Sequence, residues 1–341
     1  MRATLIRQIR SLIMQHEIRF ATFNVLNLAL PGARFYDGQE PYSIRQYDDK
    51  ISWLAQQIDR LDADVIGFQE IFSQDALRDV LARTQHYRHA HHAGSDPQPR
   101  DGQLTPSVAL VSRLPLAGLP ILHQALPRQL SITLPGTPAP MTQFTRPVLQ
   151  VPLTLPGGGT LQAFVTHMKS KRPDWNADET EDDPYHLGMA SLRSLIKRGT
   201  DALGLRYLLT DLQLAQRGPL VVMGDFNDDA GAVSTQMVMG TGRHGKSALY
   251  ERLFDSTRIQ TGRDRSRDIG YTHLHDGAYQ TLDHVLVSEE FHPGSNYAIG
   301  EVLEVLYLND HVGLRLAAAS DHGQVLVRIR LFGKHADTES V

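Results

Sequence analysis

Apolar positions along this chain fall into two periods. Runs rich in β-branched and aromatic residues, at 19–25, 65–68, 108–112, 148–155, 161–166, 220–223, 281–287 and 324–330, carry the pattern of strands. Residues 47–61 place Ile51, Leu54, Ala55 and Ile58 on one face at helical spacing, and residues 188–216 form a second long helical stretch. No internal repeat, low-complexity tract or Pro/Gly/Ser-rich linker interrupts the series. Strands and helices mixed in this order predict layered α and β structure, class α+β. Ahead of them, Leu5, Ile6, Ile9, Leu12 and Ile13 recur at helical spacing with Arg2, Arg7 and Arg10 between, which predicts a short packing helix in an extension over residues 1–16. A domain over residues 17–332 and a polar tail over 333–341 complete the expected organisation.

Polar residues are not spread evenly between the strands. They gather at strand ends, as Asn24, Gln69-Glu70, Thr166-His167, Gly224-Asp225-Phe226-Asn227, Leu282-Asp283-His284 and Ser320-Asp321-His322. A rigid sheet brings such ends into one cleft, and a mixture of carboxylates, amides and imidazoles there is the signature of a hydrolytic metal site. A site that recruits residues from 24 to 322 also requires that its contributors share one domain. Longer polar insertions, at 28–48, 87–106, 123–147, 171–188 and 240–267, are read as substrate-binding loops or disordered segments, and specificity is expected in them.

Composition narrows the class. Hydrophobic residues make up 41% of 341, enough for a substantial core, and no run of about 18 apolar residues is present to span a bilayer. Arg7, Gln8 and Arg10 do not fit a secretory apolar region, and no small-residue cleavage site follows. With no cysteine in the chain, disulfide and thiol chemistry are excluded. A soluble cytoplasmic protein is expected, with secretion by another route left open. The net charge of −4 argues against holding nucleic acid by bulk electrostatics, though not against a nuclease with local basic patches. Two patches exist: Lys169, Lys171 and Arg172 directly after His167, and Arg258, Arg263, Arg265 and Arg267 in a polar loop that also reads as simply solvated.

Glu70 is the strongest metal-ligand candidate by position, because an unpaired carboxylate at the end of the buried run Val65-Ile66-Gly67-Phe68 would be costly. Gly224 permits close backbone approach ahead of Asp225. His273 and His275 alternate on a strand and share a face, which makes His275 a candidate for the cleft. Asn309, Asp310 and His311 form a further polar group, and Arg146 heads a strand as a phosphate contact or a surface ion pair. His89, His91 and His92 lack a carboxylate and read as solvated loop histidines rather than a zinc site.

The six strand-end motifs, in this order, resemble the endonuclease/exonuclease/phosphatase superfamily, which includes deoxyribonucleases, abasic-site endonucleases, neutral sphingomyelinases and inositol-polyphosphate phosphatases. The resemblance implies a four-layered α/β/β/α sandwich of two packed mixed sheets with outer helices. It implies Mg²⁺ or Mn²⁺ at Glu70, Asp321 and Asn24, and a water oriented or deprotonated by Asp225. Asn227 and His322 become phosphate contacts, Asp283 the holder of the His322 imidazole, and His167 a second imidazole at the phosphate. Arg146, Lys169 and Lys171 would add substrate-binding charge. Leu26 stands where the abasic-site branch carries Asp, which favours a one-metal site, and His167 stands where that branch carries Tyr, which argues against membership of that branch. Thr281-Leu282-Asp283-His284 lacks the tryptophan of the inositol-polyphosphate phosphatases and leaves His284 without an assigned role. The expected function is metal-dependent phosphodiester hydrolysis, with nucleic acid as substrate, no stable membrane association and no inferable protein partner. Hydrolysis of a phospholipid, phosphoinositide or other small phosphate ester is the alternative, and an inactive binding module a remote one.

Overall fold

Strands here are buried on both faces, and the direction of each side chain decides which core it joins. In β1 (His16–Leu28), Ile18 and Phe20 face one way and Ala21, Phe23 and Val25 the other. In β2 (Val65–Ile71), Val65 is divided in the same manner from Ile66 and Phe68. Successive Cβ atoms alternate across a strand, so one short run feeds two cores and reads as continuously apolar.

The computed structural model describes residues 16–36, 38–96, 104–240, 252–262, 270–314 and 316–332. The expected N-terminal helix and C-terminal tail lie outside the described residues, as do Arg263, Arg265 and Arg267. One six-stranded sheet runs in the order β15 (Gly300–Leu308), β16 (Gln324–Leu331), β1, β2, β4 (Ser107–Ser112), β3 (His91–Gly94). The other runs β11 (Leu253–Asp255), β14 (Asp283–Ser288), β10 (Leu220–Asp225), β9 (Thr160–His167), β8 (Gln143–Thr154), β5 (Ile121–Ala125). Two small hairpins, β6 (Ile132–Thr133) with β7 (Pro140–Met141) and β12 (His273–His275) with β13 (Ala278–Gln280), stand apart from the sheets.

The sheets pack face to face, with Phe20, Val65, Leu110 and Val327 of one meeting Val165, Val221 and Met223 of the other. A Cβ on Gly67 would lie 2.7 Å from Met223 Cγ, so the absence of a side chain there makes room for Met223 of the facing sheet. Outside the first sheet lie α1 (Ile44–Leu61) and α2 (Gln74–Arg83), which bury Ile51, Leu54, Ile58, Leu77 and Val80. Outside the second lie α3 (Pro184–Ala215) and α4 (Val233–Met239), with Leu205, Leu209 and Val238 turned inward. A single turn, α5 (Ser256–Ile259), follows β11. The result is the expected α/β/β/α sandwich. Among the described residues no helix is long and apolar enough to cross a membrane.

All eight expected strands and the two helices expected within the described residues are present, and the differences lie in what the pattern missed. The first helix begins at Ile44 because Ser43 and Gln46 form a reciprocal capping box ahead of the apolar stripe. Part of the insertion expected at 28–48 is therefore helix. Strand β15 and helix α2 were not foreseen: β15 lies at the sheet edge with Glu301 and Glu304 facing Arg330 and Arg328, so charge interrupts its apolar alternation.

Candidate active site

Sheet register builds the first half of the site. Asp225, the last residue of β10, is paired with Asp283 on β14 and with His167 on β9, so three polar side chains end three adjacent strands in one row. Gly224 makes the row possible, since a Cβ there would lie 1.9 Å from Thr166 O on the neighbouring strand. His322, in the turn that leads into β16, completes the row by placing Nδ1 2.8 Å from Asp283 Oδ2. Asp225 Oδ2 is 3.6 Å from His167 Nε2 and 3.9 Å from His322 Nε2.

The first sheet supplies the second half through two irregular strand ends. The β1–β2 register shifts between Asn24 and Leu28, where Leu26 and Asn27 are both left-handed, and Glu70 is left-handed too, at φ 62°. Such backbone is uncommon for residues other than glycine and concentrates at functional sites. It turns Glu70 into the cleft, where its carboxylate accepts from Asn27 N at 2.9 Å and Asn24 Nδ2 at 3.3 Å. The same Asn24 amide donates to Asp225 Oδ2 at 3.0 Å and joins the two sheets, while its oxygen accepts from Leu26 N. Ser320 Oγ donates to Asn24 O at 2.6 Å and accepts from His322 N at 3.0 Å, which fixes the last motif to the first.

Glu70, Arg146, His167, Lys169, Lys171, Asp225, Asn227, Asp321 and His322 all line one cleft of about 1660 Å³. Asn24 and Asp283, 0% and 1% exposed, stand just behind the lining. Burial sets their electrostatics. His167 is held neutral, its basicity lowered first by burial and then by the charges of Arg146, His322 and Lys169. For His322 burial acts in the same sense, but the carboxylates of Asp283 and Asp225 outweigh it and keep the imidazole charged. Asp225 is raised by burial and by repulsion from Asp283, with His322 opposing. One neutral and one charged imidazole thus flank a carboxylate whose basicity is moved toward neutrality, a division suited to acid–base work on one substrate.

Glu70 and Asp321 are the cleft carboxylates suited to a cation. The ammonium of Lys50, buried on the inner face of α1, is lowered to about 8 by burial while Glu70 and Asp321 both act to raise it, so the two carboxylates share its surroundings. Carboxylates and an amide oxygen are hard oxygen donors of the kind that Mg²⁺ or Mn²⁺ takes, and Glu70, Asp321 and Asn24 would supply them. Two groups of carboxylates and imidazoles have metal-compatible spacing among the described residues: Asp225, Asp283 and His322, and His273, Asp321 and His322. The first is closed by its own Asp283–His322 hydrogen bond, and neither contains Glu70.

The remaining candidates separate clearly. Asn227 Nδ2 donates to Met168 O at 3.0 Å, and Arg146 Nη1 to the same oxygen at 2.9 Å. Lys169 Nζ turns back onto Arg172 O at 2.8 Å, and Lys171 Nζ lies 3.4 Å from Asp228 Oδ1. His273 packs against His322 with ring centroids 4.8 Å apart and the rings tilted by 45°, and His275 continues the row to the cleft rim. His284 faces away, with Nε2 2.9 Å from Asp228 O. His311, which lines the cleft, is bonded to His322 O, and Asn309 Nδ2 donates to Tyr271 O. His92 is bonded to Gln74 Oε1 at 2.8 Å, while His89 and His91 are exposed. Reasoning from sequence named Ser320 within its motif without giving it a role, and overlooked Lys50 and Asp201. Lys50 alone left a signal, a lysine between Tyr47 and Ile51 on an otherwise apolar helical face.

Strand-end carboxylates and imidazoles converging between two packed sheets define a hydrolytic phosphoesterase of the sandwich type. Residues 21–322 match the model of the Endonuclease/Exonuclease/phosphatase family, and the chain belongs to that family, whose members are generally dependent on divalent metal. A family protein from Bacteroides thetaiotaomicron is similar at TM-score 0.57 and 16% identity, over 96% of this chain and 99% of that one. The mannosyl-6-phosphatase of the same organism is similar at TM-score 0.55 and 15% identity, over 92% and 99%. The human Nocturnin catalytic domain with bound sulfate reaches TM-score 0.56 and 16% identity, over 94% and 98%. At such identities the likeness is one of fold. No curated protein sequence matches the chain.

Proposed function

We propose that this protein is a metal-dependent phosphodiesterase acting on DNA or RNA, with one divalent cation and an activated water, in a catalytic unit over residues 17–332. The row His167–Asp225–Asp283, closed by His322 at 2.8 Å from Asp283, carries the reading. Glu70 and Asp321 would hold the cation, which when bound neutralises charge that develops on the phosphate. Asn24 orients Glu70 and Asp225 through its amide nitrogen, and its oxygen would be a further donor to the cation.

Asp225 takes the proton of the attacking water as its oxygen bonds to phosphorus, and the bond from phosphorus to the leaving oxygen breaks. His322, already charged, donates to the phosphoryl oxygens and supplies the proton that the leaving alkoxide requires. Asp283 fixes the tautomer that makes this donation possible. Neutral His167 contributes a hydrogen bond without adding charge. Arg146, Lys171 and Asn227 line the flank on which the substrate continues.

A second reading, hydrolysis of a small phosphate ester, draws support from the shortness of the cationic flank. Lys169 is turned inward and Lys171 faces Asp228, so little free positive charge remains for a long duplex. One assay distinguishes the readings: supercoiled DNA, single-stranded RNA, sphingomyelin and a chromogenic phosphodiester, each with Mg²⁺, with Mn²⁺ and with excess chelator. Metal-dependent cleavage of either nucleic acid is expected, and turnover of the lipid alone would sink the nuclease reading.

A further inference from the structure

We infer that Gln69 is a positioning residue for His167: its side-chain amide keeps the imidazole in the tautomer that carries its proton on Nε2, the nitrogen turned toward Asp225. The inference deepens the phosphodiesterase reading and rests on it for what His167 does. A neutral imidazole has one proton for two nitrogens, and the partners of the ring decide which nitrogen keeps it. His167 is buried and held neutral, so the choice is a real one. Its Nδ1 is buried with no hydrogen-bond partner among the described residues, whereas its Nε2 lies 3.6 Å from Asp225 Oδ2.

Sheet packing sets Gln69 against that open nitrogen. Strands β2 and β9 meet across the interface at Gly67 and Val165, where a Cβ on the glycine would lie 3.0 Å from Val165 Cγ2. Gln69 and His167 stand two residues further along the same strands and on the same inner faces. The neighbouring strands give the same register. Asn24 is paired with Gln69, Asp225 is paired with His167, and the Asn24 amide crosses the interface to Asp225 Oδ2 at 3.0 Å. One strand further along both sheets, Gln69 comes opposite His167.

The Gln69 amide, 0% exposed, has one end engaged: Oε1 accepts from Thr22 Oγ1 at 3.1 Å, while Nε2 is buried with no partner among the described residues. A buried donor and a buried imidazole nitrogen, each unpaired in the same layer, both cost free energy unless they answer one another. A direct bond does so, and so does one water that accepts from the amide and donates to Nδ1. Either link leaves the lone pair on Nδ1 and the proton on Nε2. The other end of the ring agrees, since the carboxylate beside Nε2 favours a donor there. In this tautomer His167 offers N–H to a phosphoryl oxygen; in the opposite one it would face that oxygen with a lone pair.

Protein labelled with ¹⁵N-histidine tests the tautomer without substrate. Two-bond ¹H–¹⁵N correlation spectra, with His167 assigned by its loss in His167→Gln, are expected to show the Nε2–H form in the wild type. Gln69→Met, which removes the donor at similar volume, should abolish this preference, and Gln69→Glu, which presents an acceptor, should move the proton to Nδ1. On a chromogenic phosphodiester with Mg²⁺, Gln69→Met should lower kcat about 10- to 100-fold, the range for a partner that orients a functional imidazole, and change KM by less than about twofold. In a His167→Gln background the same substitution should cost almost nothing further, which a merely structural role would not produce. An Nδ1–H ring in the wild type overturns the assignment, whether or not the Gln69 variants fold. A preference that survives Gln69→Met, or an undiminished loss of kcat in the His167→Gln background, overturns it as well. A wild type that holds the Nε2–H form but hydrolyses no phosphodiester keeps the positioning and removes the phosphodiesterase reading.

Discussion

At Asp225 one carboxylate oxygen accepts from Asn227 N at 2.8 Å and the other from the Asn24 amide at 3.0 Å, so the group is aimed before any substrate arrives. His322 is fixed as firmly, between Asp283, the Ser320 hydroxyl and His311. Replacing His322 by Ala should lower kcat by roughly 10² to 10⁴, the range for a positioned acid or base. It should also destabilise the fold by about 3–5 kcal/mol, because Asp283 would remain buried and charged without its partner. Urea unfolding beside steady-state kinetics checks both effects, and an unchanged midpoint would mean that the Asp283–His322 pair is not held as described. Lys169 differs, since its ammonium grips loop carbonyls. Lys169→Ala should raise KM several-fold more than it lowers kcat, through a loosened binding loop; an equal loss in kcat to that of His322→Ala would make the lysine catalytic.

Helix α3 shows how an outer element governs the cleft. Asp201, 3% exposed, accepts from Thr145 N at 2.9 Å and from Lys169 N at 3.0 Å, and so ties β8 to the chain leaving β9. Burial raises its pKa to about 6, with the Thr145 and Lys169 donors and Arg146 acting in the opposite direction. Its folded pKa exceeds the unfolded one, so the folded state binds more protons between about pH 4 and 6 and loses stability as pH rises through that window. The stability advantage of wild type over Asp201→Asn should therefore be greatest near pH 4 and shrink by on the order of 1–3 kcal/mol by pH 7. Urea midpoints across that range read it directly, and a difference that grows with pH would refute it. Nothing in the sequence marks Asp201, which lies mid-helix far from every motif. The two-faced strands were legible because alternation feeds two cores with apolar residues. Edge strand β15 was hidden by the charges it pairs with Arg328 and Arg330. The site motifs were legible because each closes an apolar run, whereas the directions of Lys169 and Asn227 depend on carbonyls that only the folded loop presents.

Across the whole molecule, the site is where the two sheets are joined by polar bonds. Asn24 of the first sheet donates to Asp225 of the second, and Ser320 ties the final motif to Asn24 O. Glu70 and Asp321 both act on the Lys50 ammonium at this junction, and a cation on the cleft side would offset their negative charge. A ligand that binds only the folded state adds RT ln(1 + [L]/Kd) to stability, about 2.7 kcal/mol at a hundred times Kd. Mg²⁺ or Mn²⁺ should therefore raise the thermal midpoint by several degrees and excess chelator should reverse it, with activity lost in parallel. Glu70→Gln should abolish the thermal shift while the metal-free variant remains folded, because the left-handed strand end that carries residue 70 is held by the Asn24 and Asn27 contacts, which an amide oxygen retains in part. A midpoint indifferent to both metals, together with full turnover in chelator, would remove the cation from Glu70 and require the reaction to proceed on Asp225 and the two imidazoles alone.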